Sequence, residues 1–310
     1  MIFHLIKQLK EDIYMSNLNE ITVLSGKGGT GKTSLSAAFA TIHKNMVVAD
    51  CDVDAANLHL ILQPQNYVTE RFITGSKAQI DYDHCKNCGL CINYCRFDAI
   101  KYVNGKVTII ETSCDGCALC EKVCTSGVVS MIQSDKSNWF IGNYRNGKMI
   151  HARLWPGEEN SGKLVNVVRD QARKVAIEKG VTTIIIDGPP GTGCPAISSV
   201  TGAKQSVLVT EPTKSGFHDL KRMVELLQNF KIKISVVINK FDLNIDQTCA
   251  ISDWCFAKSI PVIGKIPFDP LFVEAMINGK SIVEFAPESE ISKTVHSIYQ
   301  ELIKQKDHEQ

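Results

Sequence analysis

A glycine-rich loop between an apolar stretch and a helix-forming stretch constrains the fold of this 310-residue chain most strongly. The apolar stretch is I-T-V-L-S at residues 21–25, the loop reads G-K-G-G-T-G-K-T at 26–33, and helix formers follow at 35–40. Strand, loop and helix in this order bring backbone N–H groups and the positive end of a helix dipole to one point. We therefore predict a phosphate-binding loop that opens an α/β domain.

The residues of this loop have separate expected roles in binding a nucleoside triphosphate. Lys32 would reach the phosphates, Thr33 would bind Mg²⁺, and the glycines would let backbone N–H groups approach the phosphates. The predicted nucleotide-binding residues of the loop are Gly26, Gly28, Gly29, Thr30, Gly31, Lys32, Thr33 and Ser34. A second G-x4-G-K match at 157–163 is followed by Leu164 and preceded by Pro156 instead of a strand, so we do not expect it to bind nucleotide.

Further apolar stretches end in polar residues. M-V-V-A precedes Asp50 and Asp52, T-I-I-I precedes Asp187, and I-S-V-V-I precedes Asn239. Because the carboxyl ends of parallel strands face the ligand crevice, we expect these side chains near the nucleotide. The alternation of strands and helices through 21–65 and 164–300 predicts a mostly parallel sheet with helices on both faces.

Two cysteine frames with the spacing C-x2-C-x2-C-x3-C interrupt this alternation, the second 29 residues after the first. They hold eight of the chain's 12 cysteines, namely Cys85, Cys88, Cys91 and Cys95, then Cys114, Cys117, Cys120 and Cys124. Zinc ribbons use separated C-x2-C pairs, whereas three closely spaced thiols with a fourth pointing elsewhere suit a cubane. The spacing predicts two [4Fe–4S] clusters, with the fourth ligand exchanged between the frames. The other four cysteines are not expected to be ligands.

Composition and charge narrow the classes of protein to which the chain can belong. Hydrophobic residues make up 44% of the chain, the net charge is +1, and no basic stripe indicates nucleic-acid binding. No apolar run is long enough to span a bilayer. No export signal is evident, so we expect a cytoplasmic protein whose thiols bind metal instead of forming disulfides. Met15 is expected to be the true start, with 1–17 an extension and 305–310 a tail.

Two Asn-Gly pairs predict β-hairpins. Asn104-Gly105 lies between 99–103 and 106–110, and Asn146-Gly147 lies between 139–144 and 148–153. We expect an ATPase domain formed by two segments, 18–66 and 158–304, with a cluster domain at 67–135 and a hairpin or bridge at 136–157 between them. For Glu158 and Glu159 two interpretations stay open: docking near a nucleotide switch, or a solvated turn before a helix capped by Ser161.

Together these motifs resemble the MinD superfamily of P-loop ATPases (the MinD, ParA, Mrp and nitrogenase iron protein class) with an inserted two-cluster ferredoxin domain, over roughly residues 18–300. The resemblance implies that Lys27 reaches across a dimer to the partner's nucleotide and that Asp52 positions water, so Lys27, Lys32 and Asp52 are the expected catalytic residues. It implies Mg²⁺ binding by Thr33, Asp50 and Asp187. Further expected nucleotide contacts are Gly191 at the γ-phosphate and Asn239 and Pro267 at adenine. N-K-x-D specifies guanine in small GTPases, but the resemblance favours ATP.

The resemblance to bacterial two-cluster ferredoxins implies the ligand sets. Cys85, Cys88, Cys91 and Cys124 would hold one cluster, and Cys114, Cys117, Cys120 and Cys95 the other. The chain departs from the ferredoxin pattern where proline usually follows the fourth cysteine, because Arg96 and Thr125 stand there.

From these features we expect an ATPase whose Mg-ATP-dependent dimerisation gates electron transfer from two [4Fe–4S] clusters to a redox partner. The dimer would be a homodimer or a heterodimer with a paralogous ATPase. One alternative is an iron–sulfur or metal-cofactor assembly or carrier ATPase, with an assembly protein as partner. Another is a MinD/ParA-like positioning switch.

Overall fold

The structure is a computed structural model that describes residues 18–73 and 75–304; the expected extension at 1–17 and tail at 305–310 lie outside these ranges. The chain divides into two compact units. The first unit runs to Thr69 and also contains Phe140–Ala152 and the chain from Gly162 onward, and the second contains Glu70–Trp139 and Arg153–Ser161. The sequence had placed the insertion at 67–135 and a bridge at 136–157.

The elements are numbered in chain order. The strands are β1 Asn19–Ser25, β2 Met46–Asp50, β3 Gln65–Phe72, β4 Gly75–Ile80, β5 Ile100–Val103, β6 Lys106–Ile109, β7 Val129–Ser134, β8 Ser137–Tyr144, β9 Gly147–Arg153, β10 Thr183–Pro190, β11 Gln205–Thr210, β12 Lys233–Asn239 and β13 Val262–Ile266. The helices are α1 Lys32–Ile42, α2 Leu58–Leu62, α3 Leu90–Tyr94, α4 Leu119–Val123, α5 Ser161–Lys179, α6 Cys194–Val200, α7 Lys214–Asn229, α8 Ile245–Ala257, α9 Leu271–Ile277, α10 Ile282–Phe285 and α11 Glu290–Lys304.

A nine-stranded sheet with the order β13-β12-β11-β1-β10-β2-β9-β8-β3 forms the centre of the fold. Every pairing from β13 to β9 is parallel. The prediction of a mostly parallel α/β sheet is therefore confirmed. Since all these strands run the same way, the residues that follow β1, β2, β10 and β11 meet at one edge of the sheet.

Alternate residues of the central strands enter two different hydrophobic cores. Ile21 and Val23 of β1 belong to a core with α1 and α11, whereas Leu24 belongs to a second core with α7 and α8. Val207 and Leu208 of β11 divide in the same way. Side chains of a strand point alternately to its two faces, so helices cover both faces, as the sequence predicted.

The hairpin around Asn146 joins the main sheet instead of bridging to it. β8 and β9 are connected only by Arg145 and Asn146, and β9 runs parallel to β2, with Met46–Ala49 opposite Gly147–Ile150. Met149 and Ile150 are completely buried. The physical reason is that β2 would otherwise be an unpaired apolar edge, and the hairpin both pairs and covers it.

The second unit contains small antiparallel pairs and two short helices. β4 pairs with β7, and β5 pairs with β6 around Asn104 and Gly105, whose φ values of 50° and 74° confirm the predicted hairpin turn. Its core contains Ala78, Ile80, Ile100, Val107, Cys120 and Val129. So small an apolar core gives limited stability by itself. In both described ranges, no helix is long and apolar enough to cross a membrane.

The backbone of the two cysteine loops repeats at the same offset as the cysteines. Gly89 and Ala118, 29 residues apart, precede α3 and α4 with φ values of 72° and 61°. The positive φ of Asn87 recurs at Gly116, and that of Asp98 recurs at Gly127. Because L-residues adopt this conformation at a cost, its recurrence at three matched positions shows that the two loops follow one backbone path.

Candidate functional site

The glycine loop lies between β1 and α1 at the carboxyl edge of the sheet. Gly29 and Gly31 have φ values of 80° and 89°, which favour glycine. A Cβ at Gly31 would lie 2.3 Å from the Asn239 side-chain nitrogen, and one at Gly26 would lie 2.3 Å from the Asp219 Cβ. The loop is therefore closely surrounded, and its backbone leads directly into the N-terminus of α1.

Lys32 and Thr33 converge on Asp187 at the end of β10. Lys32 Nζ lies 2.9 Å from Asp187 Oδ1, and Thr33 Oγ1 donates to Asp187 Oδ2 at 2.9 Å. Ser36 Oγ also donates to Asp187 Oδ1, at 2.7 Å. Burial lowers the pKa of Lys32, but attraction to Asp187 and Asp52 outweighs it, so the pKa of Lys32 is raised. Lys32 therefore stays charged beside the loop.

Asp50 and Asp52 follow each other at the end of β2 in different environments. Asp50 is completely buried, stands opposite Asp187 in the strand register, and accepts the backbone N–H of Asp52 and Leu58 at 3.2 Å and 3.3 Å. Desolvation, and then Asp187, raise the pKa of Asp50 well above its usual range, against the pull of Lys32. Desolvation also raises the pKa of Asp52 to about 6. Asp52 Oδ2 lies 3.8 Å from Lys32 Nζ.

The segment after β10 returns to the glycine loop. The Gly191 backbone N–H donates to the Ser25 carbonyl at 2.9 Å, and Gly191 has a φ of 79°. A Cβ on Gly191 would approach the Gly26 carbonyl at 4.0 Å. Gly191 is therefore adjacent to the loop expected to hold the phosphates.

A cleft of about 710 Å³ opens beside the glycine loop. Its walls include Gly29, Gly31, Ser34, Asn239, Pro267 and Phe268. The volume includes the open space at the mouth of the cleft. The apolar wall of Pro267 and Phe268, with Asn239 beside the loop, suits a nucleobase.

The polar groups of N-K-F-D are occupied within the protein. The Asn239 Nδ2 donates to the Thr30 carbonyl at 2.8 Å, so this residue supports the glycine loop as well as lining the cleft. Asp242 Oδ1 accepts the Phe268 backbone N–H at 2.7 Å. Asp242 therefore helps to position the cleft wall through one of its two carboxylate oxygens.

Lys27, the early lysine of the loop, is held by the chain segment that follows β11. Its Nζ lies 2.5 Å from Glu211 Oε1 and within 3.3 Å and 3.2 Å of the Thr213 and Ser215 hydroxyls. Lys240 Nζ approaches the other Glu211 oxygen at 3.3 Å. The sequence analysis did not identify Glu211 or Ser36 as residues of the site. The position of Glu211 directly after a parallel strand could have indicated that it lies near the ligand crevice.

A separate group of thiols lines a cavity in the second unit. The cavity measures about 340 Å³ including its open mouth and is lined by Cys95, Cys114, Cys117 and Cys120, with apolar neighbours such as Phe97 and Ile100. Cys95 comes from the first cysteine frame and the other three thiols from the second. The structure therefore brings together the four thiols that the ferredoxin resemblance had grouped.

The remaining four frame cysteines are also neighbours. Burial raises the pKa of the Cys91 thiol, and the nearby thiols of Cys124, Cys88 and Cys85 raise it further. Cys124 differs, because backbone N–H groups of residues 126–129 outweigh its desolvation and lower its pKa. All twelve cysteines are free thiols. Of the other four, Cys51 and Cys255 are buried and Cys194 and Cys249 are exposed.

Neither thiol group is closed tightly enough to hold one ion. In the described ranges, no three His, Cys, Asp or Glu side chains are placed to bind a single metal ion. A cubane differs from one ion, since each of its four cysteines binds a different iron. Four thiols are the donor set that such a group takes, whereas they do not form a tetrahedral zinc site.

The segment after β9 contacts the cysteine loops. Lys77 Nζ donates to the carbonyls of Cys114 and Gly157, each at 2.6 Å, and Glu158 hydrogen-bonds with Ser134. Glu159 shares a hydrogen bond with Asp115. Neither interpretation from the sequence, a switch contact or a solvated turn, described these contacts.

Comparison with known proteins gives three findings. A family model described as the CobQ/CobB/MinD/ParA nucleotide binding domain matches residues 21–282. An uncharacterised protein of Methanocaldococcus jannaschii is 32% identical over 93% of this chain and 98% of its own length. The septum site-determining protein MinD of Synechocystis sp. is 25% identical over 85% of this chain and 81% of its own.

Solved structures give the same fold. The septum site-determining protein MinD of Pyrococcus horikoshii in complex with Mg-ADP superposes with a TM-score of 0.57. It is 19% identical and covers 94% of this chain and 98% of its own length.

Proposed function

The chain belongs to the CobQ/CobB/MinD/ParA family of nucleotide-binding proteins, and we propose that it is an ATPase switch whose two cysteine frames carry two [4Fe–4S] clusters. In this proposal Mg-ATP binding closes a dimer, and closure controls electron delivery from the clusters to a redox partner. The observation that carries it is the presence, in one chain, of the loop with Lys27 and of two repeated four-thiol groups.

The residues around the glycine loop support ATP as the nucleotide. The loop N–H groups and Lys32 would bind the phosphates, and the cleft wall of Pro267 and Phe268 would hold the base. The family resemblance favours ATP over GTP, and one oxygen of Asp242 here accepts the Phe268 backbone N–H. We therefore expect ATP to bind with higher affinity than GTP.

Two side-chain oxygens near the loop would hold Mg²⁺. Thr33 Oγ1 and Asp187 Oδ2 are 2.9 Å apart, and oxygen donors of this kind are those that Mg²⁺ prefers. When bound, Mg²⁺ neutralises charge on the phosphates. Asp50 lies one strand away and would act through the surrounding water shell, because its oxygens already accept backbone N–H groups.

Asp52 would orient the attacking water. It is the more exposed of Asp50 and Asp52, and its Oδ2 lies 3.8 Å from Nζ of Lys32, the residue expected to bind the phosphates. A carboxylate that holds a water in line contributes mostly by positioning. Lys27 of a partner subunit would add positive charge to the transition state, in the way that an arginine finger does.

Cys95, Cys114, Cys117 and Cys120 would hold one cluster, and Cys85, Cys88, Cys91 and Cys124 the other. The cavity among the first set, the proximity of the second set and the matched backbone of both loops support this assignment. When bound, such clusters supply one-electron redox chemistry. An external one-electron donor would reduce the protein, and one electron per cluster would pass to the acceptor.

The test is an anaerobic preparation assayed for iron, acid-labile sulfide and EPR signals. We expect about eight irons per chain from two cubanes. Cys95→Ser should remove one EPR signal and leave the other, and Cys124→Ser should do the reverse. Iron-free protein, or zinc in place of iron, would contradict the cluster assignment.

A second assay tests gating. Reduced protein is mixed with an artificial acceptor with and without Mg-ATP, and the rate of electron transfer is measured for the wild type and for Lys27→Ala. We expect ATP to change the wild-type rate and to have no effect on the variant, whereas Lys44→Ala should behave like the wild type. One unchanged rate under all conditions would exclude gating, and transfer of labelled iron to an apo-protein would favour the carrier alternative.

The similarity to MinD proteins favours a positioning switch as the second candidate. That function needs ATP-dependent attachment to a surface and no redox step. Cosedimentation with anionic lipid vesicles tests it. Retention that requires Mg-ATP and persists in iron-free protein would favour the switch over electron delivery.

A further inference from the structure

Residues 157–162 make specific contacts at both ends that binding of ATP or clusters does not by itself explain. This is the segment that matched a nucleotide loop in sequence but lacked the strand before it. Its first residues lie in the second unit, and Gly162 lies in the first unit. Each end makes close contacts within its own unit.

Lys77 fixes the first end. This residue is only 7% exposed, and its ammonium donates to the carbonyls of Cys114 and Gly157, each at 2.6 Å. A buried ammonium shared by two carbonyls joins the cysteine loop to the segment. Loss of the ammonium would leave both carbonyls without this donor.

Two glycines allow close backbone contacts at the Gly157 end of the segment. Gly157 has a φ of 78°, and a Cβ there would lie 2.4 Å from the Thr112 carbonyl oxygen. Gly116 has a φ of 74°, and its Cβ would lie 2.2 Å from the Ser76 carbonyl oxygen. The loop around Cys114 is thus held between β4 on one side and Gly157 on the other.

Gly162 and Arg169 of α5 fix the other end. A Cβ at Gly162 would lie 3.1 Å from Ser198 Oγ, and Arg169 Nη1 donates to the carbonyls of Ser198 and Thr201 at 2.6 Å and 2.8 Å. These partners lie in or directly after α6, which begins three residues after Gly191. A movement of the Gly191 segment would therefore reach the start of α5 through packed backbone.

We propose that residues 157–162 are a mechanical link through which the nucleotide state changes the Cys114 loop, with Lys77 as its fixed point. Displacement of Gly157 removes one of the two acceptors of Lys77 and moves the charge beside Cys114. Charge and hydrogen bonds near a cluster set its reduction potential, so the cluster of Cys95, Cys114, Cys117 and Cys120 would respond to nucleotide. This last step rests on the proposed function; the link itself does not.

The acidic residues near Lys77 do not cancel the electrostatic effect of moving its charge. Glu159 and Asp115 lie nearby and share a hydrogen bond, but both are exposed, so solvent screens their charge. The Lys77 ammonium is buried and is screened much less. Moving Lys77 therefore changes the local field more than moving the two carboxyls does.

The first experiment uses iron-free full-length protein and measures amide hydrogen exchange across residues 112–118 with and without Mg-ATP. We expect ATP to change exchange severalfold in the wild type and to have no effect in Lys77→Met, while both bind ATP with equal affinity. Lys101→Met, which removes an exposed lysine of β5, is the matched control and should respond like the wild type.

A second variant keeps the link testable if Lys77→Met does not fold. Gly162→Ala leaves Lys77 intact and crowds Ser198 at the far end of the link, so the response at 112–118 should be reduced. No ATP response in the wild type, or an undiminished response in both variants, would overturn the link.

The second experiment measures the potentials of both clusters in loaded protein. We expect Mg-ATP to shift only the signal that Cys95→Ser removes, by about 59 mV for each tenfold change in its reduction equilibrium. Lys77→Met should abolish the shift. If the protein assembles no clusters, the proposed function fails and hydrogen exchange alone decides the link. Equal shifts of both clusters would overturn the assignment to Lys77.

Discussion

Lys27 and Glu211 form an ion pair within one chain, with Nζ and Oε1 2.5 Å apart. Desolvation raises the pKa of Glu211, but Lys27 and Lys240 outweigh it, so this pKa lies below its usual value. The Lys27 side chain is 30% exposed, and a pair this open contributes only about 0–1 kcal/mol. Release of Lys27 toward a partner's nucleotide therefore has a small cost compared with ATP binding.

Glu211→Gln should make ATP-dependent dimerisation easier. The amide keeps the shape of the side chain but loses the charge that holds Lys27, so Lys27 is released at lower cost. We expect dimer affinity with Mg-ATP to rise by up to about fivefold, the equivalent of the surface pair. Analytical ultracentrifugation checks this, with Glu225→Gln on α7 as an exposed control. Weaker dimerisation would show that Glu211 supports the closed state instead.

Gly31→Ala should destabilise the glycine loop, whereas Gly28→Ala should not. The Gly31 φ of 89° is unfavourable for alanine, and the new Cβ would lie 2.3 Å from Asn239 Nδ2. We expect a loss of about 2–3 kcal/mol in the free energy of unfolding. At Gly28 a Cβ has no heavy atom within 4 Å, so the change should stay below about 0.5 kcal/mol. Urea unfolding without nucleotide measures both; equal losses would contradict the geometry.

Ala118→Gly should stabilise the chain because glycine adopts the left-handed backbone conformation of this position without the steric cost that alanine has. Ala118 has a φ of 61°, a conformation that costs an L-residue about 1–2 kcal/mol, partly offset by the greater freedom of glycine when unfolded. We expect a gain of about 0.5–1 kcal/mol. Gly89→Ala, at the matched position with a φ of 72°, should lose stability. Thermal unfolding of reduced, iron-free protein tests the pair, and changes of the same sign would be inconsistent with the repeat.

His151 should make stability depend on pH. Burial, and then His59, lower the pKa of His151 to about 4 from an ordinary 6.5. The unfolded chain therefore binds the proton first, so stability is lost as pH falls from about 6.5 to about 4, by up to roughly 3 kcal/mol.

His151→Phe provides the check. Phenylalanine keeps the ring contact with Phe140, whose centroid lies 4.8 Å away, but does not titrate. Urea unfolding at pH 7, 5.5 and 4.5 should show a weaker pH dependence in this variant, while His296→Gln, an exposed control, should match the wild type. If the free energy of unfolding of His151→Phe depended on pH as strongly as that of the wild type, His151 would not be the group responsible.

Local sequence patterns specified several features because each rests on neighbouring residues. The glycines of 26–33 mark backbone that only glycine adopts easily, and the Asn104-Gly105 pair matches its hairpin turn. The order of apolar strands indicated a mostly parallel sheet, which places Asp50 and Asp187 opposite each other at one edge. The 29-residue cysteine offset likewise reappears in the backbone of α3 and α4.

The remaining relationships depend on pairs far apart in the chain. Lys27 meets Thr213 across 186 residues, and Asp242 holds the Phe268 N–H, so strand order and loop packing decide these contacts. The hairpin of β8 and β9 joined the main sheet because β2 needed a neighbour, which its own turn residues do not reveal.

The sequence by itself therefore determined the chemistry available, namely a glycine loop with Lys27 and Lys32, strand-end carboxylates and eight thiols in two frames. Only the tertiary structure decided which of those groups face each other. It held Lys27 on Glu211, grouped Cys95 with the second frame, and fixed Gly157 to Cys114 through Lys77. The reason is physical: local geometry follows from adjacent residues, whereas the partners of a side chain follow from how distant segments pack.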